Sequence, residues 1–190
     1  MAYLIRVNQL KINLMKLIYS ILCLSLLVMG CQPAPDNSAS EAFERNSQTV
    51  LDNLENFQNE SMDYSEYAAD FVMRDTGFGA KDSLSLDDVM EHDKALWGNY
   101  DFKLVTDPLS LLPGVDVDTK LADGSVRYYA NWEVTLAATD STDAKSGVIG
   151  LYESFDFNAD GKIIFQQVYG DFTGLFTYLH TVEMEETEEE

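Results

Sequence analysis

Asp171 ends the row Ile163, Phe165, Gln167, Tyr169, which alternates with Lys162, Ile164, Gln166, Val168 and Gly170 on the opposite face of a strand. A carboxylate at the end of a largely apolar row is paired, protonated or in use. His92, in Glu91-His92-Asp93, follows Val89 by three residues and precedes Leu96 by four, so it borders an apolar helical face. Its imidazole suits proton transfer near neutral pH, while a backbone carbonyl or a neighbouring acid would give it a purely structural role. Asp156-Phe157-Asn158-Ala159-Asp160-Gly161 opens as a calcium loop does, with oxygen ligands at alternating positions and a glycine at the bend. Gln167 stands where that loop needs a bidentate glutamate and the flanks read as strands, so a hairpin turn competes for the same residues. Trp132, Tyr128, Trp97, Phe165 and Phe155 are large enough to line a cavity or to fill a core. Trp132, Phe165 and Gln167 are the candidate ligand contacts. No nucleophile elbow, zinc-protease helix, phosphate loop or dinucleotide fingerprint occurs, so no metal or nucleotide cofactor is called for.

The elements that must position these groups follow from periodicity. Ser38-Ala39-Ser40-Glu41 reads as a capping box opening an amphipathic helix to about Asn59, with Phe43, Val50, Leu51, Leu54 and Phe57 on one face. Tyr64, Tyr67, Ala68 and Phe71 recur at helical spacing, and residues 71–74 then turn into a short strand. Ser85-Leu86-Asp87-Asp88 caps a third helix carrying Leu86, Val89, Met90, Leu96, Trp97 and Tyr100. Residues 101–106 read as a strand, residues 107–125 as a long loop with a terminal turn, and residues 126–137 as the clearest strand. Its residues Val126, Tyr128, Ala130, Trp132, Val134 and Leu136 alternate with Arg127, Tyr129, Asn131, Glu133 and Thr135. Two strands around the Asn158-Ala159-Asp160-Gly161 turn close the chain as a hairpin. Helices followed by strands make an α+β domain, with one face of a curved sheet covered.

Composition sets the partners. The 190 residues carry a net charge of −21, and without Arg6, Lys11 and Lys16 the remainder holds 9 basic against 33 acidic residues, a charge of −24. Such a body repels nucleic acid and anionic lipid. Met15-Lys16 precedes a mostly apolar run of 13 residues, Leu17–Met29, and Gly30-Cys31 follow. That is the form of a secretory signal, with a core short for a membrane span. Leu27-Val28-Met29-Gly30-Cys31 resembles the lipobox of bacterial lipoproteins, which implies a lipid on Cys31, attachment to a membrane of the cell envelope, and a mature chain with no disulfide. Gln32 in place of Asp points to outer-membrane sorting where the enterobacterial rule holds. The expected organisation is a signal peptide over residues 1–30, with 1–14 an extended leader or a misassigned start. A tether over 31–40, one domain over 41–180 and an acidic disordered tail over 181–190 complete it, the tail holding six glutamates in residues 183–190.

The loop Arg74-Asp75-Thr76-Gly77-Phe78-Gly79, the long strand 126–137 and the ending D-G-K-I with Q-V-Y-G-D-F-T-G-L-F-T-Y-L resemble the SnoaL-like branch of the nuclear transport factor 2-like superfamily. The resemblance spans residues 41–180, with loop 107–125 as its departure. It implies a cone in which a curved antiparallel sheet and about three N-terminal helices enclose one pocket for a small apolar ligand. It also implies an acid/base role for Asp171, a hydrogen bond from Tyr169 to a developing enolate, and homodimers through the convex sheet face. The leading functional reading is a non-catalytic binding or accessory module. Beside it stands an acid/base cyclase, isomerase or dehydratase using Asp171 with Tyr169 or His92, and then a calcium-stabilised extracellular module.

Overall fold

The computed structural model describes residues 15–16, 37–81 and 83–181. Apart from Met15 and Lys16, the signal segment, and with it Cys31, most of the tether and the acidic tail beyond Thr181, lie outside the described residues. Helix α1 spans Ser38–Gln58. It takes in the last three residues of the expected tether, and its N-cap is Asn37 rather than Ser38, with no side-chain cap bond from Asn37. Val50 and Leu54 are buried, and Asn46 and Asn53 share their face. These two amides reach partners on the sheet side, Asn46 Nδ2 donating to the Gly124 carbonyl at 2.8 Å and Asn53 Nδ2 to Tyr67 Oη at 2.8 Å. A donor bonded in this way costs little inside a core, while the buried Asn46 Oδ1 has no partner among the described residues.

The segment expected as a second helix is a 3₁₀ turn, Tyr64–Glu66, followed by strand β1, Tyr67–Asp75. Tyr67 and Phe71 are four residues apart, a spacing that helices and strands both place on one face. Pairing with the last strand decides between them: Tyr67 lies beside Ile163 and Val72 beside Phe165, in parallel. The sheet is therefore mixed rather than antiparallel throughout. Helix α2, Leu86–Trp97, opens on the expected capping box, Ser85 Oγ accepting from the Asp88 amide and Asp88 Oδ2 from the Ser85 amide.

Strand β2 spans Tyr100–Leu104, β3 Leu111–Val115, β4 Ala122–Leu136, β5 Lys145–Phe157 and β6 Ile163–Tyr169. The expected loop 107–125 thus contains a strand and the start of another, because Leu111 to Val115 pair antiparallel with Tyr128 to Ala122. Sheet order is β1-β6-β5-β4-β2, with β3 also on β4. β2 and β3 share one edge of β4, β2 on Trp132–Leu136 and β3 on Ala122–Tyr128.

The stretch after β6 is a third helix, α3, Phe172–His180, where the sequence reading continued the hairpin. Phe172, Leu175, Phe176 and Leu179 recur at helical spacing, and Leu175 and Leu179 are buried. Tyr100 ties α3 to β2, its ring 4.9 Å from that of Phe176 and its hydroxyl 2.7 Å from His180 Nε2. Among the described residues no helix is long and apolar enough to cross a membrane.

Gly124 joins α1 to β4. Its φ is +82°, and an added Cβ would lie 2.8 Å from the Ala42 Cβ. Gly124→Ala is therefore expected to destabilise the domain by about 2 kcal/mol through both strain and overpacking, read as a lowered urea midpoint. An unchanged midpoint would show that α1 does not rest on this glycine.

Candidate functional site

The inner rows of β4 and β5 face each other in register. Val126, Tyr128, Ala130 and Trp132 pair with Phe155, Glu153, Leu151 and Ile149. Every member of those rows is apolar or aromatic except Glu153, which is 7 % exposed. A slip of one residue would turn Glu153 outward, so the ladder itself holds this acid inside. The space it faces is a cavity of about 320 Å³ walled by α1, α2, α3 and the sheet.

Glu153 is the end point of a chain of donors. Tyr128 Oη donates to Glu153 Oε2, and Gln166 Nε2 donates to Oε1 at 2.5 Å. Tyr67 Oη, which accepts from Asn53, donates to Gln166 Oε1 at 3.4 Å. Burial pushes the Glu153 carboxyl up to about 7, and the Asp93 charge adds to the rise, while the bonds from Tyr128 and Gln166 oppose it. The same burial, with the Glu153 charge, raises the Tyr128 phenol well above its ordinary value.

Asp93 is the second buried acid on the cavity wall, also 7 % exposed. Tyr64 Oη donates to its Oδ2 at 2.9 Å. Burial raises the carboxyl, against the hydrogen bond from Tyr64 and the nearby His92. The apolar part of the wall includes Phe57, whose ring centroid lies 5.1 Å from Phe102 and 5.9 Å from Trp132, both edge-on. Exposed Phe78 and Thr173 stand at the rim.

Of the residues singled out from sequence, Trp132 lines the cavity, and His92 contributes from an exposed position. Asp171 does not reach it. Asp171 is the N-cap of α3, exposed, with Oδ1 accepting from the Gly174 amide at 2.9 Å. The carboxylate follows the end of β6 because a helix must begin there, and the unpaired first-turn amides take it. Gln166 and Val168 line the cavity, so Phe165, Gln167 and Tyr169 point to the convex face. There Gln167 Nε2 donates to Tyr169 Oη, and Tyr169 is 48 % exposed beside Tyr152. The calcium reading is corrected as well. Asp156 is paired with Arg127 at 2.8 Å, and Asn158 Oδ1 accepts from the amides of Asp160 and Lys162, closing a hairpin turn. Among the described residues no cluster of three or more His, Cys, Asp or Glu side chains is placed to hold a metal ion.

Glu153 and Asp93 were missed in the sequence, although each leaves a mark there. Ile149, Leu151, Glu153, Phe155 and Phe157 form a period-two row with one acid in it. Leu86, Val89, Asp93 and Leu96 form a helical stripe with one acid in it. An acid standing where the period asks for an apolar side chain is the signal in both cases.

A putative polyketide cyclase from Xanthomonas campestris pv. campestris has the same architecture, with a TM-score of 0.58 at 15 % identity over 73 % of this chain and 98 % of that one. A putative SnoaL-like polyketide cyclase from Shewanella denitrificans matches with a TM-score of 0.51 at 10 % identity, over 70 % of this chain and 95 % of that one. The domain has the SnoaL-like, nuclear transport factor 2-like fold. The BvnE pinacolase from Penicillium brevicompactum shares this fold at a TM-score of 0.54 and 15 % identity, over 73 % of this chain and 92 % of that one. At these identities the likeness is one of fold. No family model matches the chain by sequence, and no curated protein does.

The raised carboxyl of Glu153 makes the stability of the domain depend on pH. An ordinary glutamate titrates near 4.5, and in the native state Glu153 holds its proton to about 7. Its contribution is fully present below pH 4.5 and is lost as pH rises through 7, a loss on the order of 3 kcal/mol. Asp93 and Glu66 are shifted in the same direction, whereas the lowered acids Asp63, Asp88 and Asp116 act below pH 4. Urea midpoints should fall between pH 5 and 7.5 in the parent, and Glu153→Gln should flatten that slope; parallel slopes would contradict the assignment. Asp171→Ala should cost about 1 kcal/mol, as a lost N-cap does, and leave ligand affinity unchanged. A tenfold loss of affinity would return Asp171 to the site.

Proposed function

We propose that the cone takes in a small, largely apolar molecule and moves a proton on it, with Glu153 as the acid/base group. The observation that carries this reading is the buried Glu153 carboxyl at the cavity wall, held by Tyr128 and Gln166 and titrating near neutral pH. A group with that pKa divides its time between acid and base forms at pH 7, which is where general acid–base catalysis is most efficient. As a carboxylate it takes a proton from a carbon or hydroxyl of the bound molecule. Its two internal donors then no longer face a full charge, and the carboxylic acid returns the proton at a neighbouring position. Asp93 across the cavity raises the Glu153 pKa and so keeps it in range. The net change is an isomerisation or, where a leaving group departs, an elimination. Cyclases and a pinacolase among the fold neighbours support a small-molecule reaction of this kind.

The second reading, binding without chemistry, is favoured by one feature: both Glu153 oxygens already accept a hydrogen bond from the protein. As part of the same proposal the chain is a lipoprotein anchored through Cys31 at the cell envelope, with the outer membrane preferred, and it pairs with a second copy across the convex sheet face.

Exchange of the α-protons of a bound alicyclic ketone in D₂O separates the two readings. Proton transfer predicts exchange faster than buffer for the parent, a drop of about 100-fold or more for Glu153→Gln, and no change for Asp171→Asn. Ketone binding without accelerated exchange would overturn the catalytic reading and leave the binding one.

A further inference from the structure

The cavity wall is one-sided in charge. Its described lining includes Asp75, Asp93 and Glu153 and neither lysine nor arginine, with His92 as its one basic side chain. The ion pairs among the described residues, Lys81 with Asp88 and Arg127 with Asp156, involve none of these wall residues. Two nearly buried carboxyls thus share one low-dielectric space with no lysine or arginine on its described wall and only the exposed His92 as a basic neighbour. Ionised carboxylates in that situation are costly unless something positive comes close to them.

The two acids are not equally engaged. Both oxygens of Glu153 accept a bond, but Asp93 receives only Tyr64, at Oδ2, and among the described residues no donor meets its Oδ1. An acceptor atom on a side chain 7 % exposed is therefore left open on the cavity wall. Phe57, Phe102 and Trp132 line the same space, and aromatic faces attract the methyl and methylene groups next to a charged nitrogen. The net charge of −21 draws cations toward the domain and repels anions.

We propose that the ligand of this cavity is a small apolar amine bound as its ammonium, with Asp93 as the counter-ion and the Phe57, Phe102 and Trp132 rings against its carbon groups. This rests on the reading of the cone as the ligand site. It adds a role for Asp93, which holds the charged end of the ligand while Glu153 stays bonded to Tyr128 and Gln166. It also excludes carboxylates and phosphates of the same size, which would meet two acids and no paired base.

Three probes of nearly equal shape test the inference on the intact protein at pH 7.5: N,N-dimethylbenzylamine, which is mostly ammonium there, isobutylbenzene, and phenylacetate. Calorimetry or ligand-observed NMR gives their affinities. The amine should bind at least about tenfold more tightly than isobutylbenzene, and phenylacetate most weakly. Asp93→Asn should abolish the preference for the amine while isobutylbenzene affinity moves less than about threefold, which also certifies that the variant is folded. Isobutylbenzene or phenylacetate binding as tightly as the amine overturns the inference and leaves the apolar-cavity reading intact. A preference that survives Asp93→Asn overturns the assignment of the counter-ion. Failure of all three probes to bind overturns the inference and the cavity reading together.

Discussion

The ladder between β4 and β5 is the constraint on which the domain depends. It runs from Val126 opposite Phe155 to Leu136 opposite Lys145 without a slip. That register sets Tyr128 against Glu153 and closes the hydrogen bond between them. It also gives the inner face a spine of buried side chains, Val126, Tyr128, Ala130, Trp132 and Val134. On one side the spine supports β2 and β3 end to end; on the other, β5 carries β6 and, through it, β1. The helices then cover what the curved sheet leaves open, and the acid held by the ladder stands on the cavity wall together with Asp93 and Gln166.

Burying an acid in this way sacrifices stability above neutral pH, and the surroundings limit the loss rather than remove it. Tyr128 and Gln166 stabilise the carboxylate, burial and Asp93 oppose them, and the balance falls near neutrality. A fully satisfied carboxylate with a cation beside it would stay ionised and serve as structure. A carboxyl with no donors would stay protonated. Glu153 lies between these limits, which is the condition for moving a proton in either direction.

Much of the architecture was legible because the chain states it locally. The strand 126–137 alternates cleanly, the Asn158-Ala159-Asp160-Gly161 turn is a hairpin signal, and Ser85 with Asp88 marks the start of a helix. What failed was decided by distant partners. Tyr67 and Phe71 suit a helix or a strand, and pairing with β6 on the far side of the chain selects the strand. Leu111–Val115 is a strand because β4 extends past Val126 to receive it. For the site, Trp132 was legible as an inward aromatic, but the carboxylate was sought at the end of a row. Asp171 stands there because α3 begins after it. Gln166 rather than Gln167 faces the cavity, since the row that begins at buried Ile163 turns to the convex face from Phe165 onward, past the irregularity at Asp156/Phe157. Glu153 and Asp93 sat in the middle of apolar rows, where a lone acid is easily passed over and where burial gives it most effect.

The carboxyl carbon resonance of Glu153, followed by ¹³C NMR through a pH titration and assigned by its absence in Glu153→Gln, tests the central claim most directly. A midpoint near 7 is the expected result. A midpoint near 4.5, the ordinary glutamate value, would mean that the carboxylate is solvated or paired in solution, and the cone would then hold no acid/base group at neutral pH.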